Sequence, residues 1–139
     1  MFFDEQSLVR CFLEHAQVSS PWGEIRIKPE FFYNRGRTDL VAVSEDGKVI
    51  AFEAKLKYWK TALHQAYRNK CFADLSYVLL PEDSALFASR YSGEFTRRGV
   101  GLCFVSDNDL KIIHEAAESV PLQPWLRAQA FSYACASQR

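Results

Sequence analysis

Val49-Ile50-Ala51-Phe52-Glu53-Ala54-Lys55-Leu56 reads as a buried strand interrupted by two charges. Its other six residues are apolar, so the stretch belongs in a core. Charge without a partner is costly in such a place. Strand period two sets Glu53 and Lys55 on the same face.

Working outward, Thr38-Asp39-Leu40-Val41 leaves a polar turn and opens a second strand, predicted over 38–43. Ser44-Glu45-Asp46-Gly47-Lys48 reads as a hairpin loop, with Gly47 free to take a positive φ. Closing that hairpin brings Asp39 across from Glu53 and Lys55. Two carboxylates and one ammonium then converge at one end of a sheet. The carboxylates offer hard oxygen ligands of the kind Mg²⁺ or Mn²⁺ takes, and the Ala54 carbonyl between the two side chains offers another. Such a cation activates water and neutralises charge growing on a phosphate. An ammonium beside it orients the water or stabilises the transition state. The bland alternative makes Asp39 a turn cap, with Glu53 and Lys55 as exposed neighbours on an edge strand. It sits poorly with the apolar residues around them.

Further out, 4–17 carries Leu8, Cys11 and Phe12 at helical spacing, with Asp4 and Glu5 in the first turn. Ser19 to Gly23 is a break, 24–28 an alternating strand, and Asn34-Arg35-Gly36 a turn. After the central strand, 59–70 is helical, 75–80 an apolar strand and 84–98 helical. Strands follow over 100–105 and 110–114, and Pro124 opens a last helix with Trp125, Leu126 and Phe131. The step from Leu56 through the helix to Leu75 is long enough for a right-handed crossover.

Arg37-Thr38-Asp39-Leu40-Val41, Phe52-Glu53-Ala54-Lys55 and the later Gln65 together resemble the PD-(D/E)XK nuclease superfamily. The layout is similar to archaeal Holliday junction resolvases and covers roughly residues 4–80. Thr38 stands where the name-giving proline would be. The resemblance implies that Asp39 and Glu53 bind metal, that Lys55 assists hydrolysis and that Gln65 reaches the site from its helix. It also implies a glutamate from the first helix in the metal shell. Glu5 and Glu14 are the candidates, and Glu5 is favoured because it lies beside the Leu8–Phe12 stripe.

Seventeen basic residues balance seventeen acidic ones, which excludes a protein that coats nucleic acid by bulk charge. Residues 24–70 nevertheless hold ten Lys/Arg against six Asp/Glu, so the positive excess sits around the motif. Arg35, Arg37, Lys57, Lys60 and Arg68 are the phosphate-contact candidates, with Arg26, Lys28 and Tyr67 as further ones. The Phe31-Phe32-Tyr33 cluster reads as core or interface rather than a stacking platform. His15, His64 and His114 lack metal-ligand spacing, and the four cysteines form no CxxC pair, so no zinc site is expected. Free thiols point to a reducing, cytoplasmic compartment. No secretory leader and no apolar run long enough for a membrane span is expected.

The expected fold is therefore α/β. It is a single domain over 1–139 with a restriction endonuclease-like mixed sheet flanked by helices, in the order helix, three-strand meander, helix, strand. The expected activity is divalent-metal-dependent hydrolysis of phosphodiester bonds, with DNA as substrate and Mg²⁺ or Mn²⁺ as cofactor. So small a nuclease pairs as a homodimer or serves as a subunit of a larger complex. The rival readings are a catalytically silent protein of the same fold that binds nucleic acid or a protein partner, and a plain interaction protein.

Overall fold

A hairpin lies at the centre of the structure, a computed structural model that describes residues 2–136. β2 (Gly36–Ser44) and β3 (Val49–Ala54) pair antiparallel, from Val43↔Val49 out to Leu40↔Phe52. Gly47 turns the connection at φ 84°, a value that residues with a β-carbon rarely adopt. β1 (Ile25–Tyr33) lies antiparallel on the outer side of β2. α2 (Trp59–Asn69) carries the chain over to β4 (Leu75–Pro81), which runs parallel to β3. β5 (Gly101–Val105) is parallel to β4, and β6 (Leu110–His114) closes the far edge antiparallel. The result is one mixed six-stranded sheet in the order β1-β2-β3-β4-β5-β6.

Alternation along the strands sorts the helices onto two faces. Leu40, Ile50, Phe52, Tyr77 and Leu79 face α1 (Glu5–Val18), which buries Leu8, Phe12 and Ala16 against them. The other face takes α2 through Val78 and Leu80, and α5 (Pro124–Cys135) through Val41, Val49 and Ala51. Asp4 caps α1, its Oδ1 accepting the Ser7 N–H at 2.8 Å. Arg127 of α5 grips the hairpin by donating to Asp74 Oδ2 and to the Gly47 carbonyl, both at 2.8 Å. Asp74 in turn accepts the Val49 N–H at 2.7 Å.

Several predicted boundaries shift. β1 runs on to Tyr33, passing Pro29, which an edge strand tolerates because its missing N–H faces no partner. β3 stops at Ala54, leaving Lys55 and Leu56 outside it. The predicted helix over 84–98 is three pieces: α3 (Glu82–Ala88), a 3₁₀ turn (Ser89–Tyr91) and α4 (Ser92–Arg98). α4 ends at Gly99, whose φ of 69° makes the left-handed cap that glycine favours. Phe31 is buried while Phe32 is exposed, so the aromatic run is split between core and surface. Leu126 is buried and Trp125 is exposed. Cys11, Cys71, Cys103 and Cys135 are all free thiols. Among the described residues, no helix is long and apolar enough to cross a membrane.

Phe52 is the keystone of the α1 face, with its ring 4.9 Å from that of Phe12 and 5.1 Å from that of Trp22. Phe52→Ala is expected to cost about 3–5 kcal/mol of unfolding free energy. Urea denaturation checks this; a loss under about 1 kcal/mol would mean that the cluster collapses freely into the gap.

Candidate active site

Asp39 sits where the ladder lapses. β1 and β2 pair at Pro29↔Leu40 and at Phe31↔Thr38, and between those pairs Glu30 adopts φ 63°. That left-handed backbone is uncommon for a residue with a β-carbon and is a local strain. Beyond the last β2–β3 pair, a side chain takes over from the backbone. The Ala54 N–H donates to Asp39 Oδ2 at 2.9 Å. Arg37 Nη2 lies 3.1 Å from Asp39 Oδ1.

Glu53 is the buried half of the pair, with only 1% of its surface exposed. Asn69 Nδ2, at the end of α2, donates to Glu53 Oε2 at 2.7 Å. Asn69 Oδ1 accepts from Thr38 Oγ1 at 2.9 Å and from the Tyr33 hydroxyl at 2.8 Å. Arg68 Nε donates to the same Tyr33 hydroxyl at 3.1 Å. A polar chain thus runs Arg68–Tyr33–Asn69–Glu53 through the interior, and Thr38 and Asn69 are wholly buried. Burial first, and then the negative charge of Asp39 beside it, push the Glu53 carboxyl up to about 8.

Glu53 and Lys55 do not share a direction, contrary to the period-two expectation. Glu53 turns to Asn69 of α2, whereas the Lys55 ammonium lies 4.0 Å from Glu5 Oε2 of α1, on the other face. Strict alternation ends with the strand at Ala54, and Lys55 follows the chain's exit. Glu5, Gln6, Glu30, Arg37, Asp39 and Ala54 line a cleft of about 510 Å³ on the α1 side. Of the two helix-borne acids, Glu5 reaches this cleft. Glu14 lines a different one beside Cys11 and Asp107.

Gln65 does not join the carboxylates. It lines a separate cleft with Arg35 and Arg68, where its Oε1 is buried without a partner among the described residues. The helix residue that meets Glu53 is Asn69, which the sequence reading missed. The signal was available: the buried stripe of α2 is Trp59, Ala62, Leu63, Ala66 and Asn69, and a polar residue on an apolar stripe needs a partner. Among the other basic candidates, Lys57 lies 5.9 Å over the Tyr58 ring and Lys60 5.7 Å over the Trp59 ring.

The donor set fits a small divalent cation. Burial, and then the negative charge of Asp39, disfavour the ionised Glu53, and a cation held between the two carboxyl groups would offset both. Among the described residues, no cluster of three or more His, Cys, Asp or Glu side chains forms a metal-holding group. A cation here would depend on this carboxylate pair and a backbone oxygen such as that of Ala54.

No protein-family model matches the sequence, and no curated protein matches it. Among solved structures, the chain is similar to the SPO1766 protein of unknown function from Silicibacter pomeroyi. The TM-score is 0.65 at 16% identity, over 95% of this chain and 86% of that one. That likeness concerns the fold.

The raised Glu53 carboxyl has a stability signature. The group titrates at 4.5 when unfolded and near 8 when folded, so between those values the folded state holds the extra proton. Its contribution is complete below pH 4.5 and is lost as pH rises through 8. Glu53→Gln keeps an acceptor for Asn69 and removes the titration. Without divalent metal, the variant and the wild type are expected to be similarly stable near pH 4.5. Relative to the wild type, the variant should gain up to about 1.4 kcal/mol per pH unit from there to about pH 8 and nothing further beyond it. Thermal melts across pH check it, and parallel curves would show that Glu53 ionises as freely as in the unfolded chain.

Proposed function

We propose that this protein is a divalent-metal-dependent nuclease of the restriction endonuclease-like type that hydrolyses phosphodiester bonds, with DNA as the substrate. The observation that carries the reading is the pairing of Asp39 with the buried Glu53 at the open end of the hairpin, with Lys55 and Glu5 close by. Support comes also from the element order, with a helix before the hairpin and a crossover helix after it.

In this reading Asp39 and Glu53 hold Mg²⁺ or Mn²⁺, and Ala54 offers its carbonyl. When bound, the cation would acidify an attacking water and offset charge growing on the phosphate. The chain's own residues do the rest. Asn69 fixes the direction of Glu53, so one carboxyl oxygen is occupied and the other is aimed toward Asp39. The ammonium of Lys55 stabilises the pentavalent transition state, and Glu5 restrains it until substrate arrives. With Asp39 engaged as a metal ligand, the Arg37 guanidinium beside it would be free to bind a phosphate oxygen.

A second reading, a catalytically silent protein that binds nucleic acid, is favoured by two observations. Arg37 already neutralises Asp39, and Glu53 is sealed from solvent.

Cleavage of a labelled DNA panel with Mg²⁺, Mn²⁺ or EDTA separates the two readings. The wild type is expected to cut only with metal. Asp39→Asn should abolish cutting and weaken Mn²⁺ binding in calorimetry. Lys55→Ala should slow cutting about 10²-fold while leaving DNA affinity largely intact. No metal-dependent cutting of any substrate would leave the silent reading. A Lys55→Ala variant as fast as wild type would remove Lys55 from the chemistry.

A further inference from the structure

The face opposite α1 carries a cleft of about 540 Å³ whose chemistry contrasts with that of the carboxylate site. Arg35, Arg68 and Lys70 line it, and no carboxylate does. The Lys70 ammonium is taken up by the Arg98 and Gly99 carbonyls at 3.1 and 3.5 Å, so the two guanidiniums of Arg35 and Arg68, with no acid lining the cleft beside them, mark an anion's seat. Arg68 is spread taut across the β1–β2 turn. Its Nε is held by Tyr33 and its Nη2 by the Arg37 carbonyl at 3.2 Å, while its Nη1 has no protein acceptor among the described residues. A β-carbon added at Gly36 would come within 3.0 Å of that Nη1. The turn is therefore shaped to let the guanidinium lie flat against it.

The wall of this cleft also holds two unspent hydrogen-bonding groups. Gln65 Oε1 and Ser119 Oγ are both buried without a partner among the described residues. Turning the Gln65 amide over only exchanges an orphaned acceptor for an orphaned donor. Two such atoms in one wall call for a polar ligand. Tyr67 presents a half-exposed ring at the rim, and Val120 and Leu122 add an exposed apolar lip. Cations, hydrogen-bonding edges, an aromatic face and apolar surface together are what a nucleotide uses: phosphate, base edge and base face. The volume suits one such unit and not a base pair with both backbones.

The position relative to the carboxylates gives the unit its role. Arg68 touches the Arg37 carbonyl, and the Arg37 side chain reaches Asp39. Arg68 and Arg37 thus form an unbroken basic link from this cleft, past the β1–β2 turn, to Asp39, a path that one strand's backbone can follow. Resting on the nuclease reading for the site at Asp39, we propose that the Arg35–Gln65–Arg68–Ser119 cleft seats an unpaired nucleotide of the strand whose phosphodiester lies at Asp39. The substrate class is DNA with a single-stranded end or an unpaired base beside the duplex.

Fluorescence anisotropy in EDTA, where no cutting occurs, tests the seat apart from the chemistry. The probes are a blunt duplex and the same duplex with a short single-stranded overhang. Wild type should bind the overhang probe about tenfold more tightly. Tyr67→Ala and Ser119→Val, both outside the core, should each erase most of that preference while blunt-duplex affinity stays unchanged. Equal affinity of wild type for the two probes, or variants that weaken both probes alike, would overturn the proposal, as would no binding to either. Cleavage with Mg²⁺ is scored separately. Preference without cutting retains the seat and rejects the nuclease, and cutting without preference does the reverse.

Discussion

A carboxyl group enclosed by hydrocarbon on a buried strand must be neutral, paired or hydrogen-bonded, and Glu53 is placed so that each of these depends on its neighbours. Asn69 supplies one hydrogen bond. Asp39 supplies a negative charge that makes ionisation harder. The polar chain behind it then has little freedom. Asn69 turns its amide nitrogen toward Glu53 and its oxygen toward Thr38 and Tyr33, whose hydroxyls donate to it. Tyr33 can then accept from Arg68. One buried acid sets the orientation of four side chains drawn from β1, β2 and α2.

This chain also explains why β1 is longer than its alternation suggests. Tyr33 must lie over the end of α2, so the strand has to pass Pro29 and continue beyond the kink at Glu30. Pro29 and Glu30 are tied by α5, where the Tyr133 hydroxyl shares its one proton between the Pro29 carbonyl and the Glu30 carbonyl. A strained backbone residue persists only where its surroundings fix it. Here α5 provides the fixing, which gives the C-terminal helix a part in placing Asp39 without touching it.

The sequence disclosed the hairpin, the crossover and the meeting of Asp39 with Glu53, because each rests on local rules. An apolar run with period two, a Gly-containing loop and a helix between two buried strands leave few arrangements. What it hid were properties that depend on a strand's exact end and on a helix's rotation. Alternation carried one residue past Ala54 puts Lys55 on the face of Glu53, whereas the strand ends at Ala54 and the Lys55 ammonium lies beside Glu5. Gln65 was assigned to the site through resemblance. The stripe of Trp59, Ala62, Leu63, Ala66 and Asn69 turns Gln65 instead toward the second cleft. The strain at Glu30 has no local signature, since no turn residue marks it.

The two clefts divide labour that the net charge conceals. Acidic groups gather on the α1 side, where Glu5, Glu30 and Asp39 outnumber Arg10 and Arg37, and cations without a lining carboxylate gather on the α2 side. Arg37 and Arg68 stand between them. Arg37 now compensates Asp39, so any cation arriving there competes with a guanidinium already in place. That competition has a direction. Under the proposed reading a divalent ion would carry twice the charge and, on displacing its proton, would be held by Glu53 as well, whereas the Arg37 guanidinium pairs with Asp39 and is half exposed. An arriving phosphate tilts the balance further by offering the displaced guanidinium a new partner. Under the proposed reading, metal and substrate therefore favour one another's binding, because each removes the obstacle that the resting ion pair sets before the other.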